Sequence, residues 1–275
     1  MRAVAGVGLA LFVLLVFLGA YRALVDRRVD HLWQRLQAEP GNEAFDPVMV
    51  AELPEPARRF LRHAIRPGTV LARSVTLQMH GRIALTPGAD KIPLRARQLL
   101  APQGLIWQAS VGAGTRRISG HDLFVDGEGA MRWFMWGVVP IVQASGPDQS
   151  RSGAGRVALE VALWLPCALL PQAGARWEAI DGERARVHLS VDGERLAPVL
   201  SIADDGRPRR IEMQRWDAEG LSGTPGYVPW AGEVLGEERT FGGYTIATRV
   251  RATARAGTPQ AHEFFEAVVT DAQYR

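Results

Sequence analysis

The residues able to do chemistry gather in two short stretches, one spanning Gly120 to Gly129 with His121, Asp122, Asp126 and Glu128, the other spanning Arg156 to Pro166 with Glu160 and Trp164. Read as a strand, the first puts Asp122 and Asp126 on one face with Phe124, and His121 on the other with Leu123 and Val125, because successive side chains alternate. Read as a helix, the second sets Arg156 and Glu160 four residues apart on one face, so a buried carboxylate has its counter-ion to hand. If Glu160 came within reach of Asp122 and His121, the three could do acid–base work as a hydrolase does, since burial raises one carboxylate toward neutrality. The competing reading is structural: Asp126-Gly127 is a turn, and Asp122 caps or pairs locally.

Other chemistries find little support. The histidines at positions 31, 63, 80, 121, 188 and 262 form no H-x-H pair and no H-E-x-x-H, so no metal site is expected. Val111-Gly112-Ala113-Gly114-Thr115 lacks the lysine and following helix of a phosphate loop, and no G-x-S-x-G elbow presents a serine. No cofactor is expected. Cys167 is alone and sits in an apolar stretch, which suits plain packing. The formal charge is +3, Lys91 is the only lysine, and no basic run interleaves with stacking aromatics, which argues against nucleic acid as a partner.

Tryptophan is abundant, and each indole buries roughly 150–250 Å², so ordinary core packing is the default. The alternative is that Trp107, Trp133, Trp136, Trp164 and Trp230, with Tyr227, line a cavity for an apolar ligand, as a curved sheet closed by a helix readily forms.

These residues need elements to position them. The stretch from 155 to 170 is apolar nearly all round, with Val157, Val161, Trp164 and Ala168 at helical spacing, so it reads as a buried central helix that Pro166 ends or kinks. Residues 1–25 hold a nearly uninterrupted apolar run, long enough for a helix to cross a hydrocarbon layer of about 30 Å; a cleaved signal peptide is the competing reading, but the run exceeds the usual signal core and no clean A-x-A site follows, so it reads as an uncleaved transmembrane anchor. Residues 26–68 read as an amphipathic helical linker region. Val29, Leu32, Trp33 and Leu36 share one face of its first part, with Trp33 a candidate for the headgroup level. A break at Pro40-Gly41-Asn42 follows, then a helix from Pro54 to Ile65. Residues 69–275 read as an antiparallel β domain. From Ser74 the period is two, with further strands at 94–100, 105–111, 121–126 and 131–139 and more after the central helix. The expectation is about nine to eleven strands and no βαβ alternation. The Gly- and Pro-rich stretch from Asp217 to Gly236 reads as one long irregular loop carrying Tyr227 and Trp230.

The pattern Gly120-x-Asp122-Leu-Phe-Val-Asp126-Gly-x-Gly129, the helix motif Arg156-x-x-x-Glu160-x-x-x-Trp164-x-Pro166, then Trp177 to Asp181 and Phe265 to Arg275, resembles a bacterial family of unknown function with an N-terminal membrane segment. The resemblance runs from about Leu53 to Arg275 and departs at Val157 and Ala158, where the family pattern has Tyr-Leu. It brings no catalytic residues. It implies an architecture similar to LolA-type lipoprotein carriers, an open β-barrel lidded by helices.

The fold expectation is therefore mainly β with flanking helices, a curved antiparallel sheet or open half-barrel closed by a helix, plus an N-terminal transmembrane helix. The functional expectation is a non-enzymatic, membrane-anchored binding protein for a lipid or other apolar ligand held in the sheet concavity. A structural or partner-binding envelope protein is the alternative, and a hydrolase using Asp122, Glu160 and His121 the third. The expected location is the bacterial cytoplasmic membrane as a single-pass protein. Arginine counting places the body inside, while the carrier-like architecture favours the periplasmic side.

Overall fold

Alternation of apolar and polar residues from Val75 onward yields strands with one face buried and one solvated, and the computed structural model, which describes residues 2–37, 39, 41–218 and 224–275, shows them paired antiparallel throughout. The strands are β1 (Val75–Ile83), β2 (Ile92–Ala101), β3 (Gly104–Val111), β4 (Ile118–Val125), β5 (Glu128–Met135), β6 (Val139–Ser145), β7 (Arg176–Ala179), β8 (Arg184–Val191), β9 (Glu194–Leu196), β10 (Val199–Ile202), β11 (Pro208–Asp217), β12 (Gly226–Val234), β13 (Glu238–Phe241), β14 (Tyr244–Ala247), β15 (Arg249–Ala254) and β16 (His262–Tyr274). The α-helices of the described residues are α1 (Arg2–Leu36), α2 (Glu55–Ala64) and α3 (Pro147–Trp164).

Among the described residues, fourteen strands form one open sheet in the order β6-β5-β4-β3-β2-β1-β16-β15-β12-β11-β10-β8-β7, with β9 on β8, while β13 and β14 make a separate hairpin. Helix α3 packs against both β5 and β11. Those strands are eight steps apart, about 38 Å in a flat sheet at 4.8 Å per step. A helix about 10–12 Å across touches both only if the sheet wraps around it. Bulges at Gln78/Met79, Trp133/Phe134, Ser201/Ile202 and Ala252/Thr253 supply the bending. The arms nearly meet: Gly127, in the turn between β4 and β5, lies so close to the Asp192 carboxylate between β8 and β9 that a Cβ would overlap it.

Helix α3 begins earlier than its apolar pattern suggests, at Pro147 and not near residue 155. Gly146 at φ 112 turns the chain, Pro147 fills a position whose amide hydrogen would have no helical partner, and Asp148 faces the positive end of the helix dipole. Gly153 and Gly155 hid this start. A Cβ on either would stand 2.9 Å from Phe124 or Arg215, so glycine lets the helix sit against both arms of the sheet. The helix ends at Trp164, and Pro166 opens a 3-10 turn over Pro166–Leu169, short of the expected residue 170.

Helix α1 runs without a break across residue 25. Its second half lies on the convex face of the sheet, where Val29, Leu32, Trp33 and Leu36 pack on Leu99, Ile106, Leu123 and Val125. Trp33 packs on the body, under the Arg97 guanidinium. Among the described residues no helix is long and apolar enough to cross a membrane, so the expected span within residues 1–25 is not shown. The front half of α1 projects from the body beyond Tyr21, with Val7, Leu9, Phe12 and Phe17 between 63% and 70% exposed. Pro40, in the expected break after α1, lies outside the described residues. Helix α2 buries Phe60, Leu61 and Ala64 in the main core and, with the β13–β14 hairpin, covers the α3 C-terminal end of the trough.

Two further expectations change. Strand 131–139 is interrupted by a turn at Trp136 (φ 52) and Gly137 (φ 77), which sends the chain back as β6. The stretch Asp217 to Gly236 is not one irregular loop, because β12 occupies Gly226–Val234 between β11 and β15; residues 219–223 lie outside the described part. The ladder with β15 ends at Trp230, and beyond it Pro229 takes part only as an acceptor, its carbonyl receiving the Ala256 amide at 2.9 Å, so no ladder bond needs the hydrogen that proline lacks.

Candidate functional site

On the concave face, neighbouring strands bring Gln98 of β2, Trp107 of β3 and Asp122 of β4 into one row, since Gln98 pairs Trp107 and Trp107 pairs Asp122 in register. Arg156 on α3 reaches down between two carboxylates. Its Nε donates to Glu160 Oε1 at 2.7 Å, and one terminal nitrogen donates to Asp122 Oδ2 at 3.2 Å. The remaining oxygens are also engaged: Trp133 Nε1 donates to Asp122 Oδ1 at 2.9 Å, and the Gln98 amide donates to Glu160 Oε2. Arg156 lies 5.1 Å over the Trp107 ring. Arg215, arriving from β11 on the opposite arm, donates to the Ser152 carbonyl at 3.0 Å and hydroxyl at 3.1 Å and lies 4.2 Å over the Trp230 ring.

Burial raises the Asp122 carboxyl above its ordinary value, against the opposing pull of Arg156 and the Trp133 hydrogen bond. Burial also disfavours the Arg156 charge, but Glu160 and Asp122 together outweigh it and leave the guanidinium held more firmly than usual. Arg215 goes the other way, down to about 10, through burial first and then repulsion from Arg156. The network keeps an opening: Arg156 and Asp122 each retain 20% of their side-chain surface.

Around it runs a wall of rings. Trp107 lies 5.8 Å from Trp133 and 6.3 Å from Phe265, and Phe264 next to it lies 5.1 Å from Trp230. Two indole nitrogens in this wall, Trp107 Nε1 and Trp230 Nε1, are buried and have no hydrogen-bond acceptor among the described residues. Tyr227 stands further along β12, exposed, edge-on to Trp216 at 5.0 Å. Trp164 does not join the wall; it is core, donating to the Ala247 carbonyl at 3.1 Å. Trp136 is 65% exposed at its hairpin turn, its indole bonded to the Thr115 carbonyl. Nor is the trough an empty cavity along its length, because α3 fills much of it.

The sheet separates the three residues of the hydrolase reading. Glu160 and Asp122 share Arg156 on the concave side, whereas His121 lines a cleft under α1 on the convex side. Burial, then the nearby Arg22 and Arg132, lower the His121 pKa to about 4. Asp126 does not share the face of Asp122. At φ 54 it forms the hairpin turn with Gly127 and pairs with Arg35 of α1 at 2.6 Å. Among the described residues no group of three or more His, Cys, Asp or Glu side chains is placed to hold a metal ion. Four residues of the network and wall were not among the expected site residues: Gln98, Arg215, Phe264 and Phe265. The first two carried a signal, each being a polar residue on the buried phase of an apolar alternation, Leu94-Ala96-Gln98-Leu100 and Ile211-Met213-Arg215.

The fold and site define a mainly β protein, an open antiparallel sheet wrapped around one helix, with a saturated ion network beneath an aromatic wall. Residues 43–267 match the model of a family of unknown function, DUF6544, and the chain belongs to that family. No curated protein matches it. Among solved structures, a DUF1329 family protein from Desulfovibrio piger is similar at a TM-score of 0.44 and 10% sequence identity, covering 84% of this chain and 94% of that one.

Proposed function

We propose that the protein is a membrane-tethered binding protein for a lipid or another apolar ligand, with no catalysis of its own. The ligand reading is carried by the two buried indole N–H groups of Trp107 and Trp230, which face no acceptor inside an aromatic wall flanked by two guanidinium groups. A buried donor left unpaired costs about 1–3 kcal/mol. A ligand with an apolar body and a carbonyl or carboxylate oxygen removes that cost and finds rings to pack on. The non-catalytic reading is supported by the network itself: each oxygen of Asp122 and Glu160 holds a donor, and His121 is across the sheet. Tethering is supported by the projecting apolar front half of α1. On this reading α1 is a single-pass anchor in the bacterial cytoplasmic membrane, and the body works on the periplasmic side in the manner of a LolA-type carrier.

Native mass spectrometry of the full chain, extracted in mild detergent, tests the proposal. The expected result is a co-purifying lipid or other apolar molecule on the wild type and at least a tenfold lower occupancy on Trp107→Phe/Trp230→Phe. A wild type that carries nothing, and retains no added fatty acid or phospholipid, refutes it. A structural or partner-binding envelope role is the second reading, favoured by the extent to which α3 already fills the trough.

A further inference from the structure

A second candidate site lies on the other side of the sheet. The rear half of α1 bridges the β4–β5 hairpin and leaves a cleft of about 730 Å³ beneath it. Its walls are of two kinds. Leu24 and Leu32 from α1 and Leu123 from β4 give apolar surface, while Arg28, Arg35 and Arg132 bring guanidinium groups. The acidic residues of the lining are Asp126 and Glu128. Asp126 is taken by Arg35. Arg132 donates to the Tyr21 hydroxyl at 3.1 Å and, like Arg28, has no carboxylate within ion-pair distance among the described residues. His121 closes the inner wall, and with its pKa near 4 it is neutral at pH 7, so it neither adds to nor offsets the arginines. Leu24, 64% exposed, lies seven residues along α1 from Phe17, about 10 Å of helix rise. The apolar overhang and the α1 wall of the cleft thus lie on one continuous helix.

We infer that this cleft holds an anionic phospholipid from the bilayer that α1 enters, its phosphate between Arg28 and Arg132 and its first acyl carbons along Leu24, Leu32 and Leu123. The inference rests on membrane attachment through α1 and adds the lipid class and the place. Guanidinium groups suit phosphate because their planar donors match its oxygens in pairs. The apolar wall excludes a free inorganic ion as the preferred occupant, since phosphate alone would cover none of it.

The test uses the full chain in a neutral detergent, titrated with dihexanoyl phosphatidylglycerol or dihexanoyl phosphatidylcholine and followed by calorimetry. Saturable binding of the anionic lipid is expected, with the zwitterionic one at least tenfold weaker. Arg28→Gln/Arg132→Gln should reduce binding of phosphatidylglycerol at least tenfold. Arg28→Gln alone, at an exposed position, should reduce it severalfold and serves if the double variant fails to fold. Equal binding of the two lipids, or wild-type affinity in Arg28→Gln, overturns the inference, as does displacement of phosphatidylglycerol by equimolar inorganic phosphate. Failure of the tethering reading is seen separately, as a full chain that does not float with pure phosphatidylcholine vesicles.

Discussion

Replacing His121 by glutamine should flatten the acid limb of the stability curve. His121 is 2% exposed on the convex face, with Arg22 and Asp26 of α1 and Arg132 of β5 the charged groups that act on it. Its pKa falls from 6.5 to about 4, with burial the largest cause and the two arginines next. Above pH 6.5 the imidazole is neutral in both folded and unfolded chains and contributes no pH dependence. Below that the unfolded chain takes up the proton first, so stability is lost as pH falls from 6.5 toward 4. A shift of this size corresponds to roughly 3 kcal/mol in full, of which about 2 kcal/mol is lost by pH 5. Denaturant unfolding of the full chain in neutral detergent, at pH 7.5 and pH 5, gives the difference directly. His121→Gln changes the absolute stability as well, so the quantity of interest is the pH-dependent loss. Wild type should lose about 2 kcal/mol more than the variant between the two pH values. Equal losses would refute the reasoning, because they would mean the buried histidine is reached by water or paired in the protonated form.

Glu160→Ala should destabilise by about 1–3 kcal/mol, because Arg156 loses its nearer carboxylate but keeps Asp122, and the Gln98 amide is left without its acceptor; a melting temperature unchanged within error would count against a network that matters. The Cys167 thiol, pushed up to about 12 by burial, should resist alkylation in the native chain and react on unfolding, which mass-labelling with iodoacetamide reads; fast native labelling would contradict the packing. If the body lies outside the cytoplasmic membrane, as proposed, Asp204→Cys in a Cys167→Ala background should label with a membrane-impermeant maleimide on intact spheroplasts. Labelling only after lysis would place the body inside.

Much of the architecture could be read from residue order because its signals were local. Period-two alternation marked β1 to β4, Pro166 marked the end of α3, and Asp126-Gly127 and Asp192-Gly193 marked hairpin turns with both residues left-handed. What stayed hidden depended on partners distant in sequence. β12 looked like loop because Gly226, Pro229 and Gly232 are poor strand residues, and only pairing with β11 and the late arrival of β15 make that composition workable. The first turns of α3 looked unhelical because the gain from Gly153 and Gly155 is close approach to Phe124 and Arg215, which no window of sequence contains. The ion pair of Arg156 and Glu160 was visible as an i, i+4 spacing. Which of Asp122 and His121 would meet it depended on the face α3 chose, and the strand phase alone left that open.

The central seam of the sheet joins β1 to β16, with Val75 opposite Tyr274 and Ile83 opposite Phe265. This pairing divides biosynthesis into two periods. β1 leaves the ribosome some 190 residues before β16 is complete, about 10–40 s at usual elongation rates. Throughout that interval β1 can pair with β2 but presents its other edge bare, and the two arms cannot clasp α3 together. Closing so long a loop is entropically slow, and an uncovered edge is an invitation to wrong partners.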